Sequence, residues 1–378
     1  MMTSNSFPKA DLICRIADPL TWTREKSQLM IEACREFAAF HQENCPEIAF
    51  LYRKASFHPE SIREESDLER IPAVGVTAMK YYLLTSLPHD RAVLKLTSSG
   101  TKGQKTQIWF DQESLDRVQA QLWTLWEQEG LISSRPANYM MFVYDPDDAR
   151  DLGIAFSCQN EQRFAPPAET FYAIKKNQRG EWEYCREKVI EKMRAFASKD
   201  IPVRISGIPS FMFEFLLDLE KVGRISLPRG SEVMTGGGWK AAEDKKVSKE
   251  SFRQMITQYL AIPDEDIRDG YGMAEHSAPY IECKRHRFHI PVYCRIISRD
   301  PQTMRALPKG KPGLLELITP YNAMVPNLAL HSTDIGYVDP EPCECGWNAP
   351  TFTLVGRGGL TKHKGCAISA AEIVRRSS

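Results

Sequence analysis

Leu94–Ile108 reads LKLTSSGTKGQKTQI. A short apolar run leads into Thr97-Ser98-Ser99-Gly100-Thr101-Lys102-Gly103. A helix-like pattern follows through Leu115, Val118, Leu122, Leu125 and Trp126, with Asp111 placed to cap it. A loop of hydroxyls and glycines therefore sits between two ordered elements. Gly100 and Gly103 let the backbone come close to a ligand. The hydroxyls and amides offer hydrogen bonds, and Lys102 and Lys105 add positive charge. Together these groups suit a polyphosphate. The stretch is not a Walker loop, because G-x-x-x-x-G-K-[ST] is absent. An ordinary Ser/Gly turn has the same composition, so the rest of the chain must decide.

Outward from this loop the chain alternates. On the N-terminal side, residues 1–90 read as mostly helical, with a periodic run through Leu29, Ile31, Phe37, Ala38 and Phe40, closed by Pro72 and Pro88. On the C-terminal side come strand-like Tyr139–Tyr144, a helix-like run around Lys188–Ala197, strand-like Pro202–Ser206 and an apolar helix at Phe211–Leu219. Strand–helix alternation predicts α/β architecture.

Four further constellations follow. Ser231–Lys240 reads SEVMTGGGWK, where three glycines permit close approach to a flat or bulky ligand; a hairpin turn is the plain alternative. In Asp269-Gly270-Tyr271-Gly272-Met273-Ala274-Glu275 an aromatic between glycines can stack on a planar base, and a carboxylate four residues later can hold a divalent cation. A surface turn with a solvated Glu is the alternative. Ser332-Thr333-Asp334-Ile335-Gly336 follows strand-like Gly313–Thr319 and reads as a turn whose Asp can accept from a ribose diol. Gly356-Arg357-Gly358-Gly359 lies near the end.

Composition excludes several classes. Lys+Arg and Asp+Glu are 49 each, which argues against the basic excess of a nucleic-acid binder. No apolar stretch is long enough to span a bilayer, and MMTSNSFPKADL has no signal-peptide core. Ten cysteines without an export signal read as cytoplasmic thiols or metal ligands rather than disulfides.

In order and spacing, the five pieces resemble the adenylate-forming superfamily of acyl-activating enzymes, from about residue 45 onward. TGGGWK, YGMAEHS and the chain length are most similar to the acyl-protein synthetase family of bacterial bioluminescence, the long-chain-fatty-acid–luciferin-component ligases, with phenylacetate–CoA ligases as relatives. The resemblance implies the large N-terminal domain of that superfamily, with mixed sheets flanked by helices. Residues 1–90 would be its helical flank, 91–355 the adenylation core, and 356–378 a hinge and short tail in place of the usual C-terminal domain and its catalytic lysine.

By the same resemblance Ser98, Ser99, Gly100, Thr101 and Gly103 hold the ATP phosphates. Gly236, Gly237, Gly238 and Tyr271, with Gly272 and Met273 beside it, flank the adenine, and Asp269 lies near its amino edge. Glu275 binds Mg²⁺, Asp334 binds the ribose hydroxyls, and Arg357 reaches the same nucleotide. A carboxylate attacking the α-phosphate brings two anions together, so cations and oriented donors must offset the repulsion. Three residues depart from the family pattern: Lys102 for a small hydroxyl residue, Ala274 for Thr, and Gly359 for an acidic hinge residue.

Cys14, Cys34, Cys45, Cys158, Cys185 and Cys294 are isolated and read as small buried hydrophobes. Cys283 and His289 form C-x5-H, and Cys343 and Cys345 form C-x-C. Together they offer three thiolates and an imidazole, a structural zinc set, with His286 competing for the fourth place. Some phenylacetate-ligase-like relatives hold zinc this way.

The activity implied is Mg·ATP-dependent conversion of a fatty or other hydrophobic carboxylic acid to an acyl-adenylate, then acyl transfer to one of the protein's own cysteines, with a fatty acid reductase downstream. Transfer to coenzyme A or a carrier protein is the first alternative. A pseudoenzyme that binds acyl groups or nucleotides without turnover is the second, and the retention of Tyr271, Glu275, Asp334 and Arg357 counts against it. For the acceptor, Cys366 stands out. Gly358, Gly359 and Gly365 loosen the chain before it. Ser369 and Glu372 form an S-x-x-E capping box just after it. Nearness to a helix N-terminus and to Lys362, His363 and Lys364 favours the thiolate. An incidental tail residue is the plain alternative.

Overall fold

A computed structural model describes residues 7–97, 106–148, 161–239 and 246–357. Three helices open it: α1 (Pro8–Cys14), α2 (Arg24–Asn44) and α3 (Pro46–Lys54). Pro8 and Pro46 occupy first-turn positions where no amide is needed, and the Thr23 side chain caps α2 by accepting from Lys26 N. Met30, Ile31, Cys34, Phe37, Ala38 and His41 recur at helical spacing and form the buried face of α2. The helical reading of residues 1–90 holds to Lys54. Beyond it the chain makes only short 3-10 turns and the two-residue strand β1 (Val74–Gly75), because Pro59, Pro72 and Pro88 interrupt any longer helix.

Strands β2 (Leu94–Thr97) and β3 (Gln107–Phe110) pair antiparallel, with Thr97 opposite Gln107. The hydroxyl- and glycine-rich loop thus joins two strands of a hairpin, and helix α4 (Gln112–Gln128) follows the second strand rather than the loop itself. Asp111 does stand at the cap position of α4, without a side-chain cap bond.

The central part alternates as expected: β4 (Ala137–Tyr144), β5 (Pro167–Lys176), β6 (Trp182–Tyr184), α5 (Arg186–Ala197), β7 (Val203–Gly207), α6 (Pro209–Val222), β8 (Glu232–Gly236), α7 (Lys249–Leu260), β9 (Ile267–Tyr271) and β10 (Tyr280–Ile281). These strands form a seven-stranded sheet in the order β10-β9-β8-β7-β4-β5-β6. The inner strands run parallel and both edge strands antiparallel. Every residue of β4 is buried, the signature of a central parallel strand covered on both faces. Phe142, Phe196, Phe211, Leu219 and Ile256 share the core between this sheet and α5–α7.

A second sheet is built from β11 (Phe288–His289), β12 (Arg295–Arg299), β13 (Gly313–Ile318), β14 (Ala329–Val338) and β15 (Thr351–Arg357), in the order β11-β15-β14-β13-β12, with β1 added parallel to β14. Its core is shared with α1–α3, so the N-terminal helices are built into this sheet's layer. Arg117 on α4 is buried there beside the stacked Phe7 and Phe37 rings and pairs with Asp11 at 2.8 Å. Asp334, read above as part of a turn, lies inside β14. Gly336 marks the near approach of β15 rather than a reversal: a Cβ there would sit 2.4 Å from the Thr353 carbonyl oxygen, and the β14–β15 register shifts at this point. Among the described residues no helix is long and apolar enough to cross a membrane.

Candidate active site and metal centre

Parallel strands β8 and β9 end side by side, with Gly236 opposite Gly270. Ligands of open α/β sheets bind beyond such carboxyl ends. Gly237 and Gly238 continue from β8 at φ 84° and 70°, a conformation that a side chain would strain, and both are exposed. One strand away, β9 delivers Tyr271. Its ring packs against Tyr280, Phe288 and Phe352, and its hydroxyl donates to Asp334 Oδ2 at 2.8 Å. Burial, then the charge of Asp334, hold the phenol well above its usual range, so Tyr271 is a donor here at every working pH. Arg357, directly opposite Asp334 in the β14–β15 ladder, places Nε 3.1 Å from Asp334 Oδ1. Three residues from three strands, predicted separately, thus meet at one carboxylate beside the glycine run.

Glu275 follows in the turn after Tyr271. Its carbonyl accepts from Asn327 Nδ2 at 2.8 Å, which fixes the turn to the β13–β14 connection. Glu275 is 7% exposed, and its carboxylate makes no hydrogen bond or ion pair among the described residues. A mostly buried, unengaged carboxylate fits a cation ligand. Next to it, burial pushes His276 down to about 3, so its imidazole is neutral, with Nε2 2.8 Å from the Tyr280 hydroxyl. Ser98, Ser99, Gly100, Thr101, Lys102, Gly103, Gly359 and Cys366 lie outside the described residues.

Asp269 has partners within the protein. Its Oδ1 accepts from Thr235 Oγ1 at 2.7 Å and its Oδ2 pairs with Lys249 Nζ at 2.7 Å, so both oxygens are engaged within the protein. Lys249 also meets Glu282 Oε1 at 2.8 Å, and burial pushes the Glu282 carboxyl up to about 7 while Lys249 opposes the shift. Nothing in the sequence singled out Lys249 or Glu282. The only local signal was Ser248, which caps α7 and so sets where Lys249 points.

The cysteine pairs converge. Cys283, His289, Cys343 and Cys345 bring their donor atoms within 4.8 Å of one another. Cys283 Sγ and Cys343 Sγ are 3.7 Å apart, far beyond a disulfide bond and close to the tetrahedral edge of about 3.8 Å that Zn–S bonds of about 2.3 Å generate. His289 Nδ1 donates to the Ala349 carbonyl at 2.9 Å, leaving Nε2 as the ligand nitrogen, 3.1 Å from Cys345 Sγ. His286 is out of the set: its Nε2 meets Asp264 Oδ2 at 2.7 Å. The donor set therefore fits a structural zinc. It also bears on the nucleotide residues, since His289 lies on β11 opposite Thr351 of β15, and Cys343 and Cys345 lie in the β14–β15 connection.

Residues 2–374 match the family described as Acyl-protein synthetase, LuxE. The long-chain-fatty-acid–luciferin-component ligase of Vibrio harveyi is 24% identical over 308 residues, 81% of this chain and 79% of its own. The phenylacetate-coenzyme A ligase of Thermus thermophilus is 23% identical over 345 residues, 86% of this chain and 69% of its own. A solved 2-hydroxyisobutyryl-CoA ligase in complex with 2-HIB-AMP and CoA superposes with a TM-score of 0.65 at 15% identity, covering 89% of this chain and 69% of that one. The fold is that of the adenylate-forming acyl-CoA ligases.

Proposed function

Since this chain belongs to the acyl-protein synthetase, LuxE, family, we propose that it is an AMP-forming acid–thiol ligase acting on a long-chain fatty or other hydrophobic carboxylic acid. The carboxylate attacks the α-phosphate of ATP, pyrophosphate leaves, and an acyl-adenylate results. The Cys366 thiolate then attacks the acyl carbonyl, AMP leaves, and the acyl group stays on the protein as a thioester for an acyl-reducing partner. The observation that carries this reading is the meeting of Tyr271, Asp334 and Arg357 beside Gly236–Gly238.

In this reading Asp334 takes the ribose hydroxyls, Tyr271 and the glycine run bracket the base, and Arg357 lends charge to the same nucleotide. Ser98, Ser99, Gly100, Thr101 and Gly103 cradle the phosphates. A magnesium ion on Glu275 would supply positive charge to the phosphates. Zinc on Cys283, His289, Cys343 and Cys345 would brace the β14–β15 connection. Residues 356–378 supply Cys366 as the acyl acceptor. A cytoplasmic setting agrees with the eight cysteines of the described residues, none of which is in a disulfide.

The test is intact mass after incubation with Mg·ATP and a panel of fatty acids. One acyl adduct per chain, removed by hydroxylamine and missing in Cys366→Ser, is expected. An adduct that survives in Cys366→Ser moves the acceptor to another residue. Acyl-CoA formed instead when coenzyme A is added makes the small thiol the acceptor.

A further inference from the structure

Lys249 stands at the first position of α7, and its partners Asp269, Glu282 and Phe288 each lie within two residues of a residue of the nucleotide site or metal centre. Its ammonium pairs with Asp269, two residues before Tyr271 on β9. It pairs with Glu282, the residue before Cys283. It also lies 4.8 Å from the centre of the Phe288 ring, the residue before His289. Phe288 in turn edges onto Tyr271 at 6.3 Å and stacks on Phe352 of β15 at 5.4 Å. On its far side Asp269 holds Thr235, the residue before the glycine run.

The two carboxylates are also tied through the backbone. Asp269 N donates to Glu282 Oε2 at 3.0 Å, and Glu282 N donates to the Asp269 carbonyl at 2.9 Å. Two carboxyl groups are thus locked side by side, one of them, Glu282, only 3% exposed. Lys249 Nζ pairs with both carboxylates and so offsets their repulsion.

We propose that Lys249 is a positioning residue for the nucleotide: it latches β9 and the Cys283–His289 turn together, so that Tyr271 is held at the right height to meet Asp334. This rests on the nucleotide reading above. Lys249 itself need not touch the ligand. Removing its charge drives Asp269 and Glu282 apart, tilts the end of β9 and loosens the Phe288 wall behind Tyr271. The effect falls on nucleotide affinity rather than on the chemical step.

Direct titration of the full-length protein with Mg·ATP, together with acid-dependent pyrophosphate exchange, tests this. Lys249→Met should weaken ATP binding and raise KM for ATP about tenfold with kcat within about twofold. Lys249→Arg should restore both, because it keeps the cation. Lys249→Gln, which keeps a donor and spares the fold, is read in the same way should Lys249→Met prove insoluble. Glu282→Gln added to Lys249→Gln should recover affinity, since the repulsion is gone. A wild-type affinity in Lys249→Gln, a loss confined to kcat, or no rescue by Lys249→Arg would overturn the latch. Failure of the wild-type protein to bind Mg·ATP at all would instead count against the nucleotide site itself.

Discussion

The Tyr271 hydroxyl donates to Asp334 Oδ2 at 2.8 Å, and this bond crosses from the end of a strand in the seven-stranded sheet to a strand interior in the six-stranded one. Each residue reaches the bond for a local reason. Tyr271 sits where β9 stops, against the rings of Tyr280, Phe288 and Phe352. Asp334 sits where the β14–β15 register shifts, with Arg357 across the ladder. A ligand that takes over the Asp334 carboxylate from Tyr271 and Arg357 would therefore be sensed by both sheets.

Tyr271→Phe keeps the ring and deletes the donor. A hydrogen bond to a charged acceptor contributes about 1.5–3 kcal/mol, so Mg·ATP binding should weaken roughly tenfold or more if the same hydroxyl orders Asp334 for the ribose. Asp334→Ala should weaken it further and free Arg357. Calorimetric titration reads both; unchanged affinity in Asp334→Ala would remove that carboxylate from the nucleotide site.

The metal centre makes its own prediction, read without any activity assay. Protein purified without added metal should carry about one zinc per chain, and a strong chelator should lower Tm. Cys343→Ser should lose the metal, whereas His286→Ala should keep it, because His286 is engaged by Asp264. Zinc retained in full by Cys343→Ser would take that thiol out of the ligand set.

His41 predicts the acid limb of stability. It is 1% exposed, lies against Phe37 and Phe40, and places Nδ1 2.8 Å from Ser86 Oγ. Burial pushes its imidazole from 6.5 down to about 3. The unfolded chain therefore binds a proton below pH 6.5 that the folded chain refuses until about pH 3, and stability falls as pH drops through that window. Between pH 7 and pH 5 His41 alone should cost about 2 kcal/mol. Urea unfolding of His41→Gln at the two pH values should show that part of the slope removed; an identical slope in both proteins would place the proton uptake elsewhere.

Periodic stretches were legible because one residue pattern serves one geometry. The buried stripe of α2 and the apolar runs of β4 and β13 fall where their spacing puts them. Two readings failed, each for its own reason. Ser332–Gly336 looks like a turn because Asp and Gly favour turns, yet Gly336 is there for the approach of β15. Gln107–Phe110 is too short for its alternation to stand out before α4, so in the sequence the phosphate-type loop looks as if it leads straight into a helix. For the metal set, the ligand types were visible in the two cysteine motifs. Their meeting across 60 residues, and the choice of His289 over His286, needed the fold. Lys249 was invisible because a lysine at a helix start is ordinary until its partners are known.

Carboxylic-acid-dependent exchange of labelled pyrophosphate into ATP tests acyl-adenylate formation, the central claim, most directly. Wild-type protein should catalyse exchange with at least one long-chain fatty acid. Cys366→Ser should do so equally, because adenylation precedes transfer, and Glu275→Gln should fall steeply, because the metal loses an anionic ligand. No exchange by the wild-type protein across fatty and aromatic acids, with ATP bound, would contradict the account and leave a nucleotide-binding protein without this chemistry.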